Sequence, residues 1–219
     1  RENIVKDNES YGNSEKGHQR VVDAIADFQT AYDVAWEKAN TEFTGVYKDW
    51  QEKVFEVLRN QLIEVNKIKA ADEADALKGE ADKNSSIRAK AVTDAQIVVE
   101  ETIKNYTANK KAQEDAKTAA DETINGFQGR LDNMKAELKD RGLTVCDADI
   151  NAAQALVDAL KTKVDEAYKA HTVSTLEYKG DVTTITKAID EVDDNNNHKY
   201  QAVLDNHDAY TRLVKAIHD

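Results

Sequence analysis

The sequence contains no proline, and only eight of its 219 residues are glycine. Proline lacks the N–H that a helix interior needs and clashes with the preceding turn, so its absence favours long uninterrupted helices. Ala, Lys, Glu and Asp are abundant instead, which is typical of long helices and coiled coils. This composition disfavours a β-rich fold.

Cysteine is nearly absent as well, since Cys146 is the only one. A single cysteine excludes an intramolecular disulfide framework and a zinc site built on cysteine ligands. Cys146 lies in the segment RGLTVCDAD, which predicts a turn. We interpret it as an incidental thiol.

The sequence also has no apolar run near the ~20 residues that span a bilayer, and no signal peptide is visible. Its formal net charge is −12. Phosphate groups bind basic surfaces, so we expect no nucleic-acid partner for this acidic chain. Because no apolar run is long enough, we also expect no direct membrane insertion. Because the chain begins at Arg1 rather than Met, we expect a processed product or a fragment.

Apolar residues recur with helical spacing in four segments. After an irregular lead-in at 1–13, the predicted helices are 14–79, 84–140, 148–192 and 196–219. Gly79, Gly142 and the DDNNN run mark the turns between them. Gly45 lies inside the first predicted helix, at a position where the helix can kink. Gly180 and the β-branched stretches HTVST and DVTTIT make the middle of the third predicted helix the place where we expect a break.

Folding the first two predicted helices about a turn near residue 82 places Trp50 beside residue 115 and Phe43 beside residue 122. Bulky aromatic side chains then face an alanine-rich stretch, and this complementarity fills a helical core. The sequence therefore predicts an all-α fold. The predicted architecture is a single elongated antiparallel bundle over 14–219, coiled-coil-like, with three to four helices and a length of roughly 80 Å.

No motif indicates a catalytic or cofactor-binding residue. A di-iron site needs two Glu-x-x-His motifs on facing helices, whereas only Glu15 and His18 have this spacing, with a glycine between them. No Gly-rich phosphate loop, Gly-x-Ser-x-Gly or His-Glu-x-x-His motif occurs. We therefore predict a protein that is not an enzyme and has no cofactor and no metal site.

The five histidines divide into two groups. His171 and His207 fall on apolar stripes, so we interpret them as packed core histidines; the alternative is a metal-binding or pH-sensitive pair. His18, His198 and His218 lie near predicted helix ends, where we expect them to be solvated.

Four aromatic residues cluster in the first predicted helix: Tyr32, Trp36, Tyr47 and Trp50. Trp50 belongs to the core stripe, whereas Trp36 and Tyr47 lie at its edge. Amphipathic aromatic side chains anchor protein interfaces. If they are exposed together, Trp36 and Tyr47 form the candidate contact surface.

Two segments, DINAAQALVDALKTKVDEAYKA and HKYQAVLDNHDAYTRLVKAI, resemble the helical-bundle modules of bacterial surface and secreted proteins, including spectrin-like and FIVAR-type modules. This resemblance implies a spacer or adhesion module in an extracellular or cell-surface protein.

Three functions are compatible with these observations. The first is a non-enzymatic stalk, adhesion or presentation segment of an extracellular bacterial protein. The second is a cytoplasmic coiled-coil scaffold that recruits a partner helix or self-associates. The third is a bundle that encloses a small ligand or a metal between its helices.

Overall fold

A computed structural model of the chain describes residues 2–192 and 199–218. The predicted all-α class is confirmed, because these residues form helices and no strand. The helices are α1 (Glu2–Glu42), α2 (Lys48–Ala76), α3 (Asp82–Asp140), α4 (Asp147–Lys169), α5 (Lys179–Val192) and α6 (Lys199–His218), with short 3₁₀ helices at Gly45–Tyr47 and Val173–Thr175. These residues form six α-helices, whereas three to four helices were predicted.

The first predicted helix, 14–79, is two helices in the structure. α1 begins at Glu2, so residues 2–13 are helical rather than irregular. The break falls at Gly45, whose φ of 60° is a left-handed conformation that glycine adopts without a Cβ clash. The chain reverses direction at this point.

Contacts between α1 and α2 show that the two helices are antiparallel. The rings of Trp36 and Phe55 lie 4.2 Å apart near the bend. At the far end of the same pair, His18 on α1 contacts Asp72 on α2. The reversal at Gly45 therefore makes a hairpin from a segment that the periodicity predicted as one helix.

The third predicted helix, 148–192, also divides in two. α4 ends at Lys169 and α5 begins at Lys179. His171 lies between them with a φ of 57°. A break in the middle of this segment was predicted, although Gly180 itself lies within α5. The predicted turn at DDNNN falls on residues 193–197, outside the described residues.

The chain divides into two compact units, Arg1–Lys111 and Ala112–Asp219, where one bundle was predicted. The first unit contains α1, α2 and α3 as far as Lys111. Its core is a set of apolar side chains from all three helices: Val21, Phe28, Ala35, Ala39, Phe43, Val54, Leu58, Val65, Val92 and Val99.

The predicted register between Trp50 and α3 is wrong. The ring of Trp50 lies 5.4 Å from that of Tyr106, and the ring of Phe43 lies 6.1 Å from the same tyrosine. The cause is the reversal at Gly45, which places both rings at the bend of the α1–α2 hairpin.

The second unit contains α3 from Ala112 onward, α4, α5 and α6. Its core combines side chains from all four helices: Ala120, Ile124, Phe127, Leu131, Met134, Leu138, Cys146, Ile150, Val157, Leu160, Val164, Ile185, Ile189, Tyr200 and Leu204. Gln154 on α4 exchanges amide hydrogen bonds with Gln128 on α3, and Lys163 donates to Asp181 on α5. Lys117 on α3 also binds Asp165 on α4, so the positions on α3 fall as those on α4 rise, and these two helices are antiparallel.

Candidate functional site

The two aromatic residues predicted as a contact surface are not exposed together. Tyr47 is only 2% exposed, and its ring lies 5.2 Å from that of Trp50. Trp36 is half-buried against Phe55. The break after α1 changes the helical phase, so Tyr47 is buried whereas the preceding Val46 is 39% exposed. The condition on which Trp36 and Tyr47 were predicted to form a contact surface, their joint exposure, is therefore not met.

A polar junction that the sequence did not predict joins the three helices of the first unit. Asp72 is 1% exposed, and its carboxylate accepts hydrogen bonds from His18 Nδ1 at 2.6 Å and from Arg88 at 3.4 Å. Arg88 also donates to Asp75 at 2.6 Å. A buried carboxylate is costly unless donors surround it, and these donors come from α1 and α3.

The polar junction corrects the prediction that His18 is a solvated residue. The one signal in the sequence is that Asp72 follows Val65 by seven residues, on the buried stripe of α2. A charged residue at a core position of a helix predicts a partner from a neighbouring helix. The sequence does not say which residue that partner is.

Two further contacts hold α1 against the start of α3. Ser14, where the first predicted helix begins, lies inside α1 and accepts a hydrogen bond from the backbone N–H of Ala81 at 3.0 Å. A Cβ added at Gly17 would lie 2.6 Å from the Cα of Asp82, so only glycine allows this approach. We interpret the junction and these contacts as structural, because their polar groups bind one another.

The histidines singled out by the sequence lie in separate local environments. His171 adopts the left-handed conformation after α4, and His207 Nδ1 lies 3.2 Å from the carboxylate of Asp208. Both side chains are half-buried. Over residues 2–192 and 199–218, no group of three or more His, Cys, Asp and Glu side chains is arranged to hold a metal ion. Cys146 is buried immediately before α4.

The most exposed apolar face of the second unit lies on α6. The first part of this helix buries Tyr200 and Leu204 in the core. Its second part leaves Tyr210, Leu213 and Ile217 exposed by 68%, 59% and 71%. The spacing i, i+3, i+7 places these three side chains on one side of the helix, and we call them the α6 face.

Polar contacts attach α6 to the end of α3, before the α6 face begins. Arg141 donates two hydrogen bonds to the Asp208 carboxylate, at 3.0 and 3.2 Å, and the Tyr200 hydroxyl donates to Glu137. The Arg141 guanidinium, and then His207, lower the pKa of Asp208 to about 2. These contacts hold the first half of α6 against the end of α3.

The charge of α6 also changes along its length. The residues from Ala209 to His218 include Arg212 and Lys215 and no acidic residue. The two cations occupy a different side of the helix from the α6 face, since successive residues turn by about 100°. In a chain of net charge −12, this segment is an apolar and basic half-helix.

Two of the grooves between helices of the first unit have similar volumes. The α1–α2 groove, of about 370 Å³, is lined by Val22, Ile25 and Ala26 together with both cationic and acidic residues, including Lys69 and Glu73. The α1–α3 groove, of about 400 Å³, is lined by Ala31, Val34 and Ile103 with Asp27 and Glu100. Both grooves have an apolar floor open to solvent, and they differ in the charge of their lining.

In the part of the chain that the structure describes, no helix has the length and apolar character needed to cross a membrane. The predicted absence of membrane insertion is consistent with this finding. No protein-family model, no curated protein and no solved structure matches this chain.

Proposed function

We propose that this chain is a non-enzymatic structural and interaction module that binds a protein partner through the α6 face. The observation that carries the proposal is the exposure of Tyr210, Leu213 and Ile217 on a helix whose first part is packed in the core. An amphipathic helix that presents apolar side chains at i, i+3 and i+7 is a common way to bind a groove or another helix.

The exposed area sets the strength of the interaction. Full burial of a large apolar side chain contributes ~1.5–3 kcal/mol, so the three side chains, about two-thirds exposed, contribute ~3–6 kcal/mol together. Association costs about 4 kcal/mol or more in lost freedom of motion. The α6 face alone therefore supports a weak, reversible contact, and a tight complex needs further contacts from the partner.

The resemblance to bacterial helical-bundle modules favours a stalk, adhesion or presentation segment of an extracellular or cell-surface protein as the setting of this interaction. A cytoplasmic scaffold that recruits a partner helix is the second candidate, because the α6 face serves that role equally well. In both cases the bundle positions α6 and the partner covers its apolar side.

The test is site-specific photo-crosslinking from the α6 face. A photoreactive phenylalanine analogue replaces Tyr210 in the full chain, and the same analogue replaces Tyr11 in the control. The two tyrosines are matched, since both are on helices and both are 68% exposed. We expect adducts from position 210, identified by mass spectrometry, that Leu213→Ser and Ile217→Ser abolish. Equal adduct yields at positions 210 and 11 would overturn the proposal.

A further inference from the structure

We propose that the α1–α2 groove of the first unit binds a small, neutral, largely apolar molecule that carries one N–H or O–H donor. The atom that accepts this donor is Nε2 of His18. The groove belongs to the first unit and the α6 face to the second. The inference therefore goes beyond the proposed function and does not depend on it.

The polar junction determines which nitrogen of His18 carries a proton. Nδ1 lies 2.6 Å from the carboxylate of Asp72, and this carboxylate also accepts a hydrogen bond from Arg88. An ionised carboxylate accepts hydrogen bonds and donates none, so Nδ1 is the protonated nitrogen. In the neutral ring Nε2 therefore has a lone pair and acts as an acceptor.

Nε2 is the polar atom of this pair that is left for a ligand. The side chain of His18 is about one-third exposed and lines the α1–α2 groove, whereas the side chain of Asp72 is buried. Within residues 2–192 and 199–218, the ring of His18 makes one hydrogen bond, to Asp72. A ligand without a donor would remove Nε2 from water and leave it unsatisfied, so the groove selects a ligand that has one.

The α1 side of the groove beyond His18 is apolar. Val22, Ile25 and Ala26 line it, followed by Gln29. Their spacing from His18, i+4, i+7, i+8 and i+11, places these side chains in one row on α1, about 16 Å long at 1.5 Å per residue. The groove volume of about 370 Å³ is within the range of ~300–1,000 Å³ that is common for small-molecule sites. An apolar ring can therefore lie along this row with its donor at His18.

The α2 side of the groove carries one charge of each sign. Lys69 and Glu73 lie about one helical turn apart on α2, and both line the groove. A carboxylate ligand would be repelled by Glu73, and an amine would be repelled by Lys69. A neutral molecule meets neither repulsion, so the charges of the lining favour a neutral ligand.

His18 also borders a second and smaller hollow. This hollow has a volume of about 130 Å³, and its other lining residues are Tyr11, Ser14, Glu15 and Ala76. The volume is below the range that is common for small-molecule sites, and most of the lining is polar. An apolar ring therefore fits the α1–α2 groove better than this hollow.

The test is an NMR titration of the full chain with indole and benzofuran at about pH 8, where an ordinary imidazole is neutral. The two probes have nearly the same shape, but only indole has an N–H donor. We expect indole to bind at one saturable site and benzofuran to bind about three- to tenfold more weakly, which is the effect of one hydrogen bond.

Long-range proton–nitrogen correlation spectra of the imidazole rings read the hydrogen bond directly. We expect the ring of His18 to carry its proton on Nδ1 in the absence of ligand. Indole then shifts the signal of Nε2, whereas benzofuran leaves it nearly unchanged. His18→Phe assigns the signals among the five histidines.

Two alanines of α1 provide matched variants that leave the polar junction intact. Ala26 lines the α1–α2 groove, and Ala31 lines the α1–α3 groove. We expect Ala26→Phe to fill the first groove and abolish indole binding, and Ala31→Phe to leave it unchanged. His18→Phe removes the acceptor, so that indole binds no better than benzofuran. Circular dichroism establishes which variants remain folded.

Any of four results would refute the inference: no saturable binding of indole up to its solubility limit, equal affinity for the two probes, a His18 ring protonated at Nε2 at this pH, or equal loss of binding in Ala26→Phe and Ala31→Phe. None of the four requires His18→Phe to fold. The photo-crosslinking from position 210 is independent of all of them, so either proposal can fail while the other stands.

Discussion

Nδ1 of His18 lies 2.6 Å from a carboxylate oxygen of Asp72, and this hydrogen bond joins α1 to α2 across 54 positions of the sequence. Asp72 is buried, whereas His18 remains about one-third exposed. Arg88 supplies a second and longer hydrogen bond to the same carboxylate. The pair therefore stabilises the first unit mainly because it supplies a hydrogen-bond donor to the buried carboxylate of Asp72.

Replacing His18 tests how much the pair contributes. His18→Ala removes the closer donor from a buried carboxylate, so we expect the first unit to lose ~1–3 kcal/mol of stability. His218→Ala, at an exposed position of α6, is the control and changes stability by less than about 0.5 kcal/mol. Urea unfolding followed by tryptophan fluorescence is the measurement, because both tryptophans, Trp36 and Trp50, lie in the first unit.

A double-mutant cycle shows whether the effect comes from this contact. Asp72→Asn is measured alone and together with His18→Ala. If the two residues interact as the structure indicates, the double variant is more stable than the sum of the single losses predicts. Strict additivity would mean that the hydrogen bond contributes nothing measurable.

Two glycines of α1 make a matched pair with opposite expected effects. A Cβ at Gly17 would meet the Asp82 backbone, whereas nothing lies within 4 Å of the Cβ position at Gly12. Gly17→Ala therefore forces α1 away from α3 and costs ~1–3 kcal/mol. Gly12→Ala gains up to ~1 kcal/mol from helix propensity. The same fluorescence assay measures both, and a stabilising Gly17→Ala would contradict the close approach.

The helical class and one core stripe could be predicted from the sequence because the evidence for them is local. On α4, Ile150, Val157 and Val164 recur in an unbroken apolar pattern, and all three are buried. On the first part of α3 the apolar residues are sparse and two stripes one residue apart fit equally well. In the structure Ile87 is exposed, whereas Val99 is buried.

Tertiary relationships account for the features that could not be predicted. The reversal at Gly45 depends on the left-handed conformation of this glycine. A glycine in a helical pattern can equally lie inside a continuous helix, so the sequence does not distinguish the two. The partner of Asp72 lies on another helix, and sequence spacing carries no information about it. On α6 the apolar pattern continues through Tyr210 and Ile217, although both side chains are exposed. Periodicity alone does not show at which residue of the helix burial in the core ends.

Two leucines of α6 test where that core ends. Leu204 is 4% exposed and belongs to the core of the second unit, whereas Leu213 is 59% exposed. Leu204→Ala creates a cavity and costs ~2–4 kcal/mol. Leu213→Ala removes the same atoms from a solvated position and changes stability by less than about 0.5 kcal/mol.

The reaction of Cys146 with a thiol reagent measures this difference, since Cys146 is the only cysteine and lies in the same core as Leu204. A core that opens more often exposes the thiol more often, so Leu204→Ala accelerates labelling. Leu213→Ala leaves the rate unchanged. Equal acceleration by the two variants would show that Leu213 is also packed.

The contact between Arg141 and Asp208 predicts a pH dependence for the attachment of α6. The hydrogen bonds from Arg141, followed by that from His207, lower the pKa of Asp208 from its ordinary 3.8 to about 2. A carboxyl whose pKa is lower in the folded protein stabilises the fold above its ordinary pKa, and this contribution is lost as the pH falls through the folded value. The attachment therefore weakens between about pH 4 and pH 2 and is unaffected near neutral pH.

Carbon-13 NMR of the aspartate carboxyl groups follows this titration directly. We expect Arg141→Gln to raise the pKa of Asp208 toward 3.8, because the largest cause of its lowering is removed. Arg130→Gln is the control: it removes one cation from the same unit, but Arg130 binds Asp190 and does not contact Asp208. If Asp208 titrates near 3.8 in the unmodified chain, Arg141 does not hold it, and the contact between Arg141 and Asp208 does not contribute to the attachment of α6.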